Sequence, residues 1–196
     1  MQAQVSTETQ GSPLISTTCT SVLDELRHTL SALSEVQIHS AVQCILTARR
    51  VFFVGAGRSG LALEMAAMRV MHLGLTVYVV GEVITPAIER GDLLVVASGF
   101  WTTASPVRAA QVAKNVGAEI LAITTAPASQ LGTLASTILT IPAAVKHSDR
   151  GAISIQYAGA LFEQTVLLLM DIMFHEMWRQ RGQSAKELWK RHANLE

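Results

Sequence analysis

Apolar positions recur along this chain with two different periods, and the alternation between them predicts the architecture. Val22, Leu23, Leu26 and Leu30 return at helical spacing over 19–31, and Ile38, Val42, Ile45 and Leu46 do the same just before the first short apolar run. Two amphipathic helices therefore precede the first strand. Beyond them, apolar runs alternate with amphipathic stretches: strand 51–55, helix 59–73, strand 75–80, a link containing Pro86, strand 93–97 and helix 105–116. The series continues with strand 119–124, a short helix near 129–134, strand 137–141, a polar loop over 146–151 and a long helix over 156–181. Runs such as Leu93-Leu94-Val95-Val96-Ala97 have no polar alternate positions, as strands covered on both faces require. The predicted fold is α/β, a three-layer α-β-α sandwich around a five-stranded parallel sheet of flavodoxin/Rossmann-like type. Residues 1–18, rich in Ser, Thr and Gln, read as a flexible N-terminal arm, which leaves 19–196 as a single domain.

Composition narrows the partners. The 196 residues carry 15 basic and 15 acidic side chains, so there is no basic field and nucleic acid is not an expected partner. Hydrophobic residues reach 49% with a mean hydropathy of +0.34, high for a monomer, and extra apolar surface is expected between copies of a homo-oligomer. No apolar stretch approaches the roughly 18 residues of a membrane span, because the run over 166–173 is broken by Asp171. A soluble chain is expected, with no membrane partner. The N-terminus lacks the basic and apolar regions of a signal peptide, and Cys19 and Cys44 stand far apart without metal-ligand spacing. Reduced thiols in a cytoplasmic protein without a metal site are the expectation.

Candidate chemistry begins where Val51-Phe52-Phe53-Val54 runs into Gly55-Ala56-Gly57-Arg58-Ser59-Gly60 and a helical pattern follows at once. Glycines allow a sharp turn and close backbone approach, and the free amides of the following helix attract an anion. Ser59 can hydrogen-bond a phosphate oxygen, and Arg58 can neutralise one or hold a neighbouring carboxylate such as Glu82. The same glycines fit a dinucleotide fingerprint with Glu82 as the ribose acid, and they also fit a turn needed only for close helix–strand packing. A second hydroxyl-rich loop, Ser98-Gly99-Phe100-Trp101-Thr102-Thr103, follows strand 93–97, with Ser105 as cap and Pro106 as first residue of the next helix. Two anion-ready loops at neighbouring strand ends favour a phosphosugar over a dinucleotide. Met65, Met68 and Met71 at helical spacing read as core or subunit interface, and His72 as a core or interface histidine.

Several separated motifs then coincide in order: Gly-Ala-Gly-Arg-Ser-Gly at 55–60, Ala67-Met68-Arg69-Val70-Met71-His72-Leu73-Gly74, Val80-Gly81-Glu82 with Thr85-Pro86, Gly159-Ala160-Leu161-Phe162-Glu163-Gln164, and His192-Ala193-Asn194-Leu195-Glu196. Together they resemble the sugar isomerase (SIS) domain family and, within it, the bacterial and archaeal 6-phospho-3-hexuloisomerases. The resemblance implies a tetramer that needs no cofactor and converts a phosphorylated ketohexose, 3-hexulose 6-phosphate, to fructose 6-phosphate in the ribulose monophosphate route of formaldehyde fixation. It implies phosphate contacts from Ser59, Ser98 and Thr103, and Glu163 as the base; Gly57, Arg58 and Thr102 join the candidate phosphate site from the two loops themselves. His192, in a tail too specific in composition for a loose end, is the candidate acid toward a ring or carbonyl oxygen, in its own or a neighbouring subunit; a packing role stands beside that one. The departure is Phe100-Trp101, where the family has a serine and a glycine. Two rings in place of a hydroxyl and a permissive backbone leave a binding protein without turnover as the alternative.

Overall fold

The computed structural model describes residues 13–99, 104–143 and 154–195. Five strands, β1 (Val51–Gly55), β2 (Val77–Val79), β3 (Leu93–Ser98), β4 (Glu119–Thr124) and β5 (Thr137–Thr140), form one all-parallel sheet in the order β2-β1-β3-β4-β5. The order reverses between β1 and β3, whose register pairs Gly55 with Ala97. That reversal is where ligands of open α/β sheets bind.

Seven helices surround the sheet among the described residues: α1 (Pro13–Ser31), α2 (Glu35–Thr47), α3 (Arg58–His72), α4 (Ala104–Val116), α5 (Gln130–Leu134), α6 (Ala160–Arg181) and α7 (Ala185–Trp189). On one face α2, α3 and α6 bury Val42, Ile45, Leu63, Val70, Leu169 and Met173 against Phe53 and Val95. On the other, α4 and α5 cover Phe52, Val54, Leu94 and Val96 with Ala110, Ala113 and Leu131. The expected three-layer sandwich is what the chain forms.

Boundaries depart from the sequence reading in instructive ways. The first helix begins at Pro13, so residues 13–18 are helical rather than part of an extended arm. Leu14 and Ile15 there remain exposed, so no buried stripe announced the helix, and the hydroxyls of Thr18 and Thr20 are satisfied by the carbonyls of Leu14 and Ser16. Helix α4 starts at Ala104, which places Ser105 and Pro106 inside its first turn rather than at cap and first position. Proline is tolerated there because first-turn amides have no intrahelical acceptor. Strand β2 is three residues long, an edge strand that ends as Gly81 turns the chain at φ 107°.

Helix α6 starts at Ala160, later than expected, because 154–156 is tied to α1. Glu25 accepts from Ser154 Oγ (2.8 Å), Ile155 N–H (2.6 Å) and Gln156 Nε2 (3.0 Å). Burial opposes its charge, but the hydrogen bonds from Gln156, Ile155 and Ser154 outweigh it and hold the carboxyl below its usual range. Ala158 then sits at φ 54°, a left-handed conformation costly for a residue with a Cβ, just ahead of the α6 N-terminus.

Candidate active site

The glycine loop serves two physical ends at once. A Cβ on Gly55 would come within 2.8 Å of the Gly60 backbone, so the glycines let α3 pack directly on the end of β1. Gly57 has open space around it but sits at φ 58°, so it serves the turn rather than the packing. It precedes α3 without a side-chain cap, leaving the first-turn amides of that helix directed outward beside buried Ser59.

The second loop begins beside the first. Ser98 ends β3, is buried and carries interactions of its own, and Thr125 Oγ1 donates to the Gly99 carbonyl at 3.1 Å. A Cβ on Gly99 would meet the Phe162 ring at 2.8 Å, so the loop leaves β3 in contact with the first turn of α6. Phe100, Trp101, Thr102 and Thr103 lie outside the described residues, as does the 146–151 loop.

Glu163 stands on that first turn of α6, and its Oε2 accepts a 2.6 Å hydrogen bond from Arg58 Nε. The glutamate side chain is 14% exposed and the arginine 64%, so the carboxylate is enclosed while its partner opens to solvent. Arg58 therefore pairs with Glu163 and not with Glu82, which lies in the exposed turn after β2. A cavity of about 190 Å³ adjoins the pair, walled by Leu61, Met65, Gln164 and Leu167. Gln164 lines the cavity while its side-chain oxygen is itself buried, without a hydrogen-bond donor among the described residues. A carboxylate held and aimed by a guanidinium can take a proton from carbon and return it.

His192 is elsewhere in the subunit. Its ring stacks on His72 with centroids 4.4 Å apart and lies 4.5 Å from the Trp189 ring. Arg191 Nη1 donates to the His72 carbonyl at 3.1 Å and lies across Gly74. His72 ends α3, whereas Arg58 begins it, and 15 helical residues span about 22 Å. One chain does not bring His192 to Glu163. His72 is 3% exposed, and its pKa is lowered by desolvation first, then by His192 and Arg69.

The methionines resolve toward surface: Met65 is 51% exposed, and Met68 and Met71 open on the same outer face of α3 as Leu61. Sequence reasoning missed a second polar centre at the opposite end of the sheet. Buried Asp92 receives Arg49 Nε on Oδ1 (3.0 Å), Arg50 Nη2 on Oδ2 (2.6 Å) and the Glu89 amide on Oδ2 (2.8 Å). Its signal was present as Arg49-Arg50 ahead of β1 and Glu89 to Asp92 ahead of β3. Among the described residues no cluster of three His, Cys, Asp or Glu could hold a metal, and no helix is long and apolar enough to cross a membrane.

Known proteins resolve the choice that the glycine loop left open. The chain is 49% identical to the 3-hexulose-6-phosphate isomerase of Mycobacterium gastri over 175 residues, 89% of this chain and 88% of that one. It is 35% identical to the enzyme of the same name from Bacillus subtilis, covering 89% and 95% of the two chains. A crystal structure of a Methanococcus jannaschii protein, from which 3-hexulose-6-phosphate isomerase function was inferred, superposes with a TM-score of 0.78 at 30% identity, covering 92% of this chain and 99% of that one. Residues 45–168 match the SIS domain, and with these relatives the chain belongs to the SIS domain family and, within it, to the 3-hexulose-6-phosphate isomerases.

Proposed function

We propose that this protein isomerises 3-hexulose 6-phosphate to fructose 6-phosphate in the ribulose monophosphate route, as a cytoplasmic homotetramer. The observation that carries the reading is the Arg58–Glu163 hydrogen bond, which joins the glycine loop to an enclosed carboxylate at the topological switch between β1 and β3. The phosphate rests on the Gly57 turn, Ser59 and Ser98, with Thr102 and Thr103 completing the second loop. Glu163 removes the proton from C2 of the substrate, and the C–H electrons form the C2–C3 double bond as the C3 oxygen takes up a proton. Arg58 orients Glu163 through its Nε hydrogen bond. Loss of the O2 proton restores a carbonyl at C2 while Glu163 returns its proton to C3.

The exposed stripe of Leu61, Met65 and Met68 on α3, continued by Leu168 and Ile172 on α6, supports a subunit contact. An isologous contact centred near Met65 runs two copies of α3 antiparallel. It carries the His192 end of a second copy toward the Arg58 end of the first, where His192 serves the substrate oxygens. Freshly generated 3-hexulose 6-phosphate should be converted by the parent protein and not by Glu163→Gln, while both bind fructose 6-phosphate. A parent that binds fructose 6-phosphate without turnover would overturn the reading.

A further inference from the structure

The connection from β2 to β3 contains no helix, and this has a structural consequence on the face of the sheet opposite Glu163's helix. Helix α4 packs over β3, β4 and part of β1, while Val80, Thr85, Pro86 and Ile88 of the segment over 80–92 lie beside Phe52 of β1. Between that segment and α4 lies a cavity of about 300 Å³. Its floor is Phe52 and Leu94, and its apolar walls include Pro86, Ile88 and Val112. This is the size at which small-molecule sites begin.

Three of the residues that line the cavity carry polar side chains. Ser105 and Arg108 approach from the first turns of α4 and Thr85 from the facing segment. The Thr85 hydroxyl is already spent on the Val79 carbonyl (2.5 Å). Arg108 is the single charged residue lining the cavity, and no carboxylate lines it among the described residues. An apolar chamber with one guanidinium at its rim selects a molecule with a compact apolar body and one anionic group. We propose that this cavity is a second ligand site, separate from the phosphosugar site, for a small amphipathic monoanion such as a medium-chain or aromatic carboxylate. The apolar body lies on Phe52 and Leu94, and the anionic group meets Arg108 and the Ser105 hydroxyl. Because Ser105 and Arg108 belong to the helix that starts directly after the second loop, an occupant braces α4 against the 80–88 segment.

Octanoate and the neutral octanamide are suitable probes, titrated into the full-length protein by calorimetry with and without saturating fructose 6-phosphate. The expected result is saturable octanoate binding at one site per chain, at least tenfold tighter than octanamide and unaffected by fructose 6-phosphate. Arg108→Gln, at an exposed position, should erase the tenfold preference for the anion. Ala109→Phe should fill the chamber and abolish binding of both probes, and Val112→Phe provides the same test should the first variant unfold. Absence of saturable binding, unchanged preference in Arg108→Gln, or unchanged affinity in both filled variants would overturn the proposal. Displacement by fructose 6-phosphate would place the probe in the phosphosugar site and overturn it as well. None of these outcomes depends on isomerase turnover, so the two proposals fail separately.

Discussion

His192 stacks on His72 with ring planes 25° apart, tying the C-terminal tail to the last turn of α3. Two motifs separated by most of the chain meet in this contact, and Arg191 and Gly74 complete it, the arginine lying where any side chain at 74 would stand.

The stack predicts a pH dependence. The groups facing His72 are His192, Arg69 and Arg191, with the Trp189 ring beyond His192, and none of them is acidic. Its folded pKa lies below the 6.5 ordinary for a histidine, so the unfolded chain binds the proton more readily. The stabilising contribution is complete above pH 6.5 and is lost as pH falls through the lowered folded value. The melting temperature should drop between pH 7.5 and 5.5, and His192→Ala, which removes one repelling partner, should reduce that drop. Equal drops in the two proteins would refute the coupling.

A second dependence lies further into acid, at Asp92. Burial works against its charge, yet Arg50, Arg49 and the Glu89 amide together lower its pKa from 3.8 to about 2. The stabilisation it supplies is present above pH 3.8 and disappears as pH falls toward 2. Asp92→Ala should cost about 3–5 kcal/mol in denaturant unfolding at pH 7, because largely buried Arg50 loses its carboxylate. The variant should also show a shallower loss of stability between pH 4 and 2 than the parent. Isomerase activity per folded molecule should be preserved, since this centre is at the opposite end of the strands from Glu163.

The fold was legible because burial wrote it into the chain: the unbroken Leu93–Ala97 run and the glycine loop located β3, β1 and the α3 start within a residue. What burial does not enforce was not legible. Helix α1 began early with Leu14 and Ile15 exposed, so no periodicity marked it. Glu163 was singled out from a motif as the candidate base, but its partner was not: Arg58 and Glu163 are 105 positions apart, and α3 packing on α6 brings them together. Glu82, closer in sequence, faces solvent in the turn after β2.

Two of the loop glycines should respond differently to alanine. Gly57→Ala meets no atom but must hold φ 58° with ψ −138°, a cost of about 1–3 kcal/mol with the packing of α3 intact. Gly55→Ala drives a Cβ to 2.8 Å from the Gly60 Cα and must displace α3 from β1, so it should lower stability by more and weaken fructose 6-phosphate binding. Urea unfolding of the two variants tests the ordering; a Gly57→Ala cost above that of Gly55→Ala would contradict the packing role.

Arg58 offers the sharpest separation of orienting from phosphate-holding roles. If its work is to hold the Glu163 carboxylate through Nε, then Arg58→Gln should lower kcat on the order of tenfold or more, with a smaller change in KM, because the base is left in place but misdirected. Glu163→Gln should lower kcat by about 10²–10⁴, the usual contribution of a general base. The double variant should be no slower than Glu163→Gln alone, since an orienting residue has nothing left to orient once the base is gone. Were Arg58 chiefly a phosphate ligand, Arg58→Gln would raise KM and weaken fructose 6-phosphate binding in both backgrounds, and its effect would add to that of Glu163→Gln. Steady-state kinetics of the three proteins decide between these outcomes.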